Sequence, residues 1–447
     1  MQHKVRLSHS LLAVESDHRV HLMLDLTAPP APASDHPPVS LALVLDRSGS
    51  MGGRKIQAVK QCAKFLVDRL RPEDRFALID FEHDVRLLVA SSKPDRKALR
   101  HAIDSIEVAG ATNLSGGWLK GLEEARRPEG RYLRRVLLLT DGQANVGIRD
   151  AGELAAMAQN ARGRDVVTST IGFGEGFSED LLTGMAAAGG GDGYFAASPE
   201  DAPAIFDAEY TGLASIVAQN LSVEVRPTAE VQLLHVLNEY PSTGVPGGVQ
   251  LNLGDAYGED ERRVLVELLV PGVGELGEVK IADLVLRYVS VGEEVASHEI
   301  TVPVTANLVE KGKGDTGPDV AVLEEVTVLL AAEARRKARE LAEEGRLDDA
   351  ANVLGVAERD LRALAEHSPR RDELTEDADE LKRTSEQMRA REYGGLDAKR
   401  MHYERHRSMS TRRSRHRDLH RRLRKEEETR RRREEETGGE TGGGAED

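Results

Sequence analysis

Cysteine is nearly absent from the 447 residues, with Cys62 the single example. A disulfide framework within the chain is therefore excluded, and nothing argues for an oxidising compartment. Cys62 lies on an apolar helical stripe, where packing is its expected role. Aromatic residues make up only 4% of the chain, which leaves few rings for stacking on nucleic-acid bases. Long apolar runs are missing too: the richest are about four to six residues, well short of the roughly 18 that a membrane-spanning helix requires. Near the N-terminus the apolar run 11–14 is too brief for a signal-peptide core, so a soluble, cytoplasmic protein is expected. Phosphate-binding loops of the G-x-x-x-x-G-K-[ST] type, G-x-S-x-G nucleophile elbows and H-E-x-x-H zinc motifs do not occur, and no enzyme is expected. The formal charge of −16 opposes general phosphate binding by the whole chain.

What the chain does have is 39% hydrophobic residues, enough to build a sizeable core in a chain of two or three domains. Residues 41–46 (LALVLD) form an apolar run closed by Asp46, the pattern of a strand buried on both faces. A polar turn follows. Then comes a helical stripe of Ile56, Val59, Cys62, Ala63, Phe65, Leu66 and Leu70, with Lys55, Lys60, Lys64 and Arg69 assigned to the water-facing side. Strands at 75–81 and 85–89, helices at 96–106 and 117–126, and a second apolar strand at 136–141 (VLLLTD) continue the alternation, which runs on to about residue 217. The expected fold class is α/β, a doubly wound, mostly parallel sheet of Rossmann-like type, with a small β-sandwich and a C-terminal helical region.

After about residue 220 the apolar period changes to 2, as a sandwich requires, and residues 18–27 alternate in the same way. From 319 the composition turns to Ala, Glu, Leu and Arg at helical spacing. The segmentation is thus 1–38 as an N-terminal strand and Pro-rich link that joins the sandwich, 39–218 as the α/β domain, 219–310 as the sandwich, 319–392 as helices, and 393–447 as a charged, largely disordered tail.

The chemistry sits in three loops. Asp46-Arg47-Ser48-Gly49-Ser50 is an Asp-x-Ser-x-Ser motif at the carboxyl end of the first α/β strand, where open α/β sheets place ligands. Thr112, in Gly110-Ala111-Thr112-Asn113, and Asp141, in Thr140-Asp141-Gly142, fall on two further loops at the same end. Taken alone, each is better read as a turn or helix-cap residue. Their occurrence in order on the right strands reverses that reading. With Met51 after the motif and GYF at 193–195, residues 40–217 resemble a von Willebrand factor A domain of bacterial intracellular type. By that resemblance Asp46, Ser48, Ser50, Thr112 and Asp141 are the metal-ion-dependent adhesion site, some of them binding through water.

Mg²⁺ or Mn²⁺ is the implied ion, since such hard cations take oxygen ligands and keep places for outside oxygens. Two aspartates formally balance the divalent charge, and the neutral hydroxyls leave the ion electrophilic toward one more carboxylate. The expected function is that of a metal-dependent adaptor gripping an Asp or Glu of a protein partner. The resemblance makes a ring-forming ATPase a plausible partner class. The alternative is nucleic-acid association through the basic run 399–425, although its EEE/RRRR/EEE sequel reads better as solvated charge. His402 with His406, and His416 with His420, have i, i+4 spacing but lie among arginines that oppose a cation, so they are read as incidental. Asp80, Glu82 and His83 are assigned to a strand end and hairpin, and Trp118 to helix packing.

Overall fold

The computed structural model describes residues 1–31, 37–213, 215–272, 276–291, 296–310, 317–409 and 419. Residues 32–36 of the Pro-rich link and all of the tail beyond 409 except residue 419 lie outside them. The chain opens with strands β1 (Gln2–Leu7), β2 (Leu11–Ala13) and β3 (His18–Thr27). The α/β domain then runs β4 (Val39–Asp46), α1 (Arg54–Arg69), β5 (Arg75–Phe81), β6 (Val85–Ser92), α2 (Arg96–Asp104), α3 (Leu114–Arg126) and β7 (Leu133–Thr140). It closes with α4 (Ala151–Arg162), β8 (Val166–Phe173), α5 (Glu179–Ala188), β9 (Gly190–Ala196) and α6 (Ala202–Leu213).

Its sheet has the order β6-β5-β4-β7-β8-β9, with every pairing parallel except that of β5 with β6. The uninterrupted apolar run of β4 is explained by burial on both faces. Leu41, Leu43 and Leu45 pack with α1, α2 and α6 through Val59, Leu66, Ile103 and Phe206. Ala42 and Val44 meet Trp118, Leu122, Leu154 and Met185 from α3, α4 and α5 on the other face. Trp118 is fully buried and donates from Nε1 to Thr168 Oγ1 at 3.1 Å, and Cys62 belongs to the first face. The order reverses at β4: β5 lies on one side and β7 on the other. A crevice therefore opens at the carboxyl ends of β4 and β7.

Seven further strands follow: β10 (Ile216–Pro227), β11 (Gln232–Val236), β12 (Ser242–Val245), β13 (Gly248–Tyr257), β14 (Glu261–Val270), β15 (Gly277–Ser290) and β16 (Ser297–Val309). They form two sheets, β1-β3-β14-β11 and β12-β13-β10-β15-β16-β2, that share a core of Leu22, Leu24, Val223, Leu251, Val266 and Leu284. The strand at 18–27 pairs with β14 in antiparallel register, Leu24 opposite Val264. Helices α7 (Val320–Glu343), α8 (Leu347–Ala365), α9 (Arg371–Ala390) and α10 (Gly395–Met409) complete the chain. The segment from 393, read from sequence as the start of a charged tail, instead begins with a packed helix. In α10 Met401 and Met409 are buried, and the Tyr403 ring stacks on Phe195 at 5.5 Å. No helix among the described residues is long and apolar enough to cross a membrane.

The two-sheet unit meets the α/β domain near the start of β7, the end opposite the crevice. There Arg135 donates to Asp255 of β13 at 2.6 Å, both side chains being 3% exposed. Truncating the acid strands a buried guanidinium, a change that costs roughly 3–5 kcal/mol. Asp255→Ala is expected to lower unfolding free energy by about that amount in urea titration; a loss below about 1 kcal/mol would show the pair to be dispensable.

Candidate metal site

β4 delivers Asp46 into the crevice with its side chain fully buried. Ser48 donates its backbone N–H to Asp46 Oδ1 at 2.7 Å, and the Thr140 hydroxyl donates to Oδ2 at 2.5 Å. The next residue, Arg47, is buried and pairs with Asp80 at 3.4 Å and Glu82 at 3.0 Å, which ties the loop to β5. Asp80 also accepts from Arg86 at 2.8 Å. These acids thus belong to the hairpin and its ion pairs. A single 3₁₀ turn, Gly49–Met51, turns the chain into α1, and the buried Met51 plugs the core beneath it. Gly53 takes the positive φ of 71° that starts the helix, a conformation glycine adopts without strain.

The turn places the Ser48 and Ser50 hydroxyls 3.1 Å apart, and Ser50 donates to Asp141 Oδ1 at 2.6 Å. The second loop is stitched to the first and the third. Ala109 N–H donates to Arg47 C=O at 2.8 Å, while Thr112 N–H donates to the Asn145 side chain at 2.8 Å. The Thr112 side chain faces the same cage, because a methyl built on Gly142 would lie 3.2 Å from Thr112 Oγ1 and 3.8 Å from Ser50 Oγ. The helix cap here is Asn113, which accepts from Gly116 N–H at 3.1 Å and frees Thr112 from that role.

All five residues singled out from sequence are therefore gathered at one crevice. Sequence reading missed Thr140, Asn145 and above all Lys55. Placed from sequence on the water-facing side of α1, Lys55 instead sends its Nζ to Asp141 Oδ2 at 2.5 Å and lies 3.4 Å from Ser50 C=O. The available signal was its place in the first turn: side chains on a helix lean back toward the N-terminus, here over the end of β4.

The donor set suits a hard cation. It offers carboxylate and hydroxyl oxygens and no sulfur or imidazole, the preference of Mg²⁺ and Mn²⁺. Among the described residues no cluster of three or more His, Cys, Asp or Glu side chains collects as a metal site, as expected where hydroxyls supply most donors. His402 is engaged elsewhere, 3.1 Å from Thr183 Oγ1 and 2.9 Å from Arg339, and burial pushes its pKa down to about 2. His416 and His420 lie outside the described residues. Electrostatics point the same way. Burial pushes the Asp46 carboxyl up to about 6, with Asp141 adding a smaller like-charge push against the hydrogen bonds from Thr140 and Ser48. A buried anion beside a second carboxylate is a deficit that a cation relieves.

The third loop is braced from behind. A methyl on Gly176 would stand 2.4 Å from the Asp141 carbonyl oxygen, so backbone would have to move. Gly176→Ala is expected to cost about 1–3 kcal/mol of stability and to weaken metal uptake as the Asp141 loop shifts. Calorimetric titration of the variant with Mg²⁺ checks this, and wild-type affinity would contradict it.

This sheet, with a crevice at its switch point, defines a doubly wound α/β domain. A sequence profile of the von Willebrand factor type A domain matches residues 40–208, and this part of the chain is such a domain. The uncharacterized protein sll0103 of Synechocystis sp. is 29% identical over 269 residues, covering 56% of this chain and 63% of that protein. The chain spans 37% of another relative, YfbK of Escherichia coli, so it covers less than two thirds of either. Two solved structures share the fold across most of the chain. A von Willebrand factor type A protein from Catenulispora acidiphila has a TM-score of 0.68 at 17% identity, over 86% of this chain and 96% of that one. The ArnB paralog VWA2 from Sulfolobus acidocaldarius has a TM-score of 0.61 at 20% identity, over 91% and 97%. Domains of this type generally mediate protein interaction or adhesion, and they often bind a divalent metal at this crevice.

Proposed function

We propose that the chain is a metal-dependent protein-binding adaptor. Asp46, Ser48, Ser50, Thr112 and Asp141 would hold Mg²⁺ or Mn²⁺, and the bound ion would supply a Lewis-acidic place for an Asp or Glu oxygen of a partner protein. The observation that carries the reading is the buried Asp46 carboxylate, which has no ion pair among the described residues and stands beside Asp141 under an exposed rim. A binding role fits better than catalysis, because each carboxylate oxygen already accepts a proton donor from the chain: Ser48 N–H, Thr140, Ser50 and Lys55. Neither Asp46 nor Asp141 is thus left as a poised base.

Nucleic-acid binding gains no support. The described start of the basic segment is engaged within the fold, Lys399 pairing with Glu179 at 2.6 Å and Arg405 pairing with Glu239. We read the chain as working in the cytoplasm, with a ring-forming ATPase among the partner classes to test first. The test is an array of immobilised peptides, each displaying one Asp beside a twin carrying Asn. Retention on Asp peptides alone, lost in chelator, supports the reading; equal retention on both twins, or retention undiminished in chelator, overturns it.

A further inference from the structure

The two aspartates do not face a bound cation alone. Lys55 Nζ lies 2.5 Å from Asp141 Oδ2, and its side chain is only 33% exposed against 0% for Asp141. The other Asp141 oxygen is held by Ser50, so the carboxylate is fixed from both sides. The cage thus carries a single net negative charge, where the motif residues alone would give two. Its metal-free form is held together by the ammonium, and a divalent ion entering it is left with one unbalanced positive charge.

We propose that Lys55 sets the charge of the metal site, so that uptake of the cation and capture of an outside carboxylate are thermodynamically coupled. The inference rests on the metal reading above and adds a residue to it. Lys55 weakens the bare cage for Mg²⁺ by repulsion at close range. It returns that cost when an anionic oxygen arrives, because the loaded cage then becomes neutral. Coupling of this kind is reciprocal: a carboxylate tightens the metal by the factor by which the metal tightens the carboxylate. The adaptor would therefore engage metal and partner together and release them together.

The test uses the full chain with Mg²⁺ as titrant in a calorimeter, at constant ionic strength, in sodium chloride and then in sodium acetate. Wild type, Lys55→Met and Lys55→Arg are compared, with circular dichroism and thermal unfolding in chelator confirming that each folds. In chloride, Lys55→Met is expected to bind Mg²⁺ about tenfold or more tightly than wild type, the scale of one unit charge near a surface site. Lys55→Arg keeps the charge and should behave as wild type does. Acetate should tighten Mg²⁺ binding to wild type and Lys55→Arg while leaving Lys55→Met nearly unchanged. In chelator Lys55→Met should unfold at a lower temperature, because the buried Asp141 carboxylate then lacks its ammonium, and Mg²⁺ should restore it. Lys55→Met with wild-type or weaker affinity, or wild-type affinity indifferent to acetate, overturns the inference and leaves the metal reading standing. Failure of all three proteins to take up Mg²⁺ removes both.

Discussion

Asp46→Asn is expected to abolish Mg²⁺ binding and, in chelator at pH 7.5, to make the protein more stable than wild type. The carboxyl is held at about 6 against an ordinary 3.8 because it is fully buried. Keeping it ionised at neutral pH therefore costs about 3 kcal/mol. The amide removes that cost at nearly the same volume. Its oxygen still accepts from Ser48 N–H, and its nitrogen faces Thr140, whose hydroxyl can turn to accept. Allowing for weaker hydrogen bonds, a net gain of about 1–2 kcal/mol remains. In excess Mg²⁺ the order should reverse, since ligand at about 100 times its Kd stabilises only the protein that binds it, by about 2.7 kcal/mol. Urea titrations of both proteins with and without Mg²⁺ measure the crossing. If Asp46→Asn is the weaker protein in chelator and in Mg²⁺ alike, Asp46 is structural and not a site for a cation.

The same residue dictates the pH behaviour. Between the ordinary value of 3.8 and about 6 the folded protein holds a proton on Asp46 that the unfolded chain has released. Metal-free stability from this group therefore falls as pH rises through that window and stays at the lower level above it. Metal affinity runs the other way, because the ion requires the ionised form, and it should drop about tenfold per unit of pH below about 6. Thermal unfolding with and without Mg²⁺ from pH 5 to pH 8 should show a metal-induced rise in Tm that grows across the range and vanishes in Asp46→Asn. A rise of equal size at every pH would contradict the assignment.

Much of this is legible in the sequence itself. The apolar run ending at Asp46 announces a doubly covered strand, and the second such run ending at Asp141 announces its parallel neighbour; both pairings to β4 are parallel, with the acids at one end. What periodicity cannot supply is the direction of a polar side chain. Lys55 sits on the polar arc of α1, yet its place in the first turn sends it back over the cage. Thr140 looks like one more strand residue until its hydroxyl meets Asp46. Helix α10 was hidden for a related reason. Its buried face is built from Met401, His402 and Lys399, whose ammonium lies over the Phe177 ring at 4.2 Å, and not from leucines. An arginine-rich composition masks such a face, because long basic side chains bury their stems while the head finds a partner. Alternation marks the buried side of the strand His18–Thr27, but its partner, Glu261–Val270, is more than two hundred residues away in sequence, and period alone does not name it.

Titrating the full chain with Mn²⁺ and following free ion by electron paramagnetic resonance puts the convergence of these loops to direct trial, using a partner variant, Asp141→Ala, whose substitution lies on a loop distant in sequence from Asp46. A single ion taken up by wild type and displaced by Mg²⁺, with uptake lost in Asp141→Ala, is the predicted result. No uptake by wild type at about millimolar Mn²⁺, or equal uptake by the variant, would show that the crevice holds no metal.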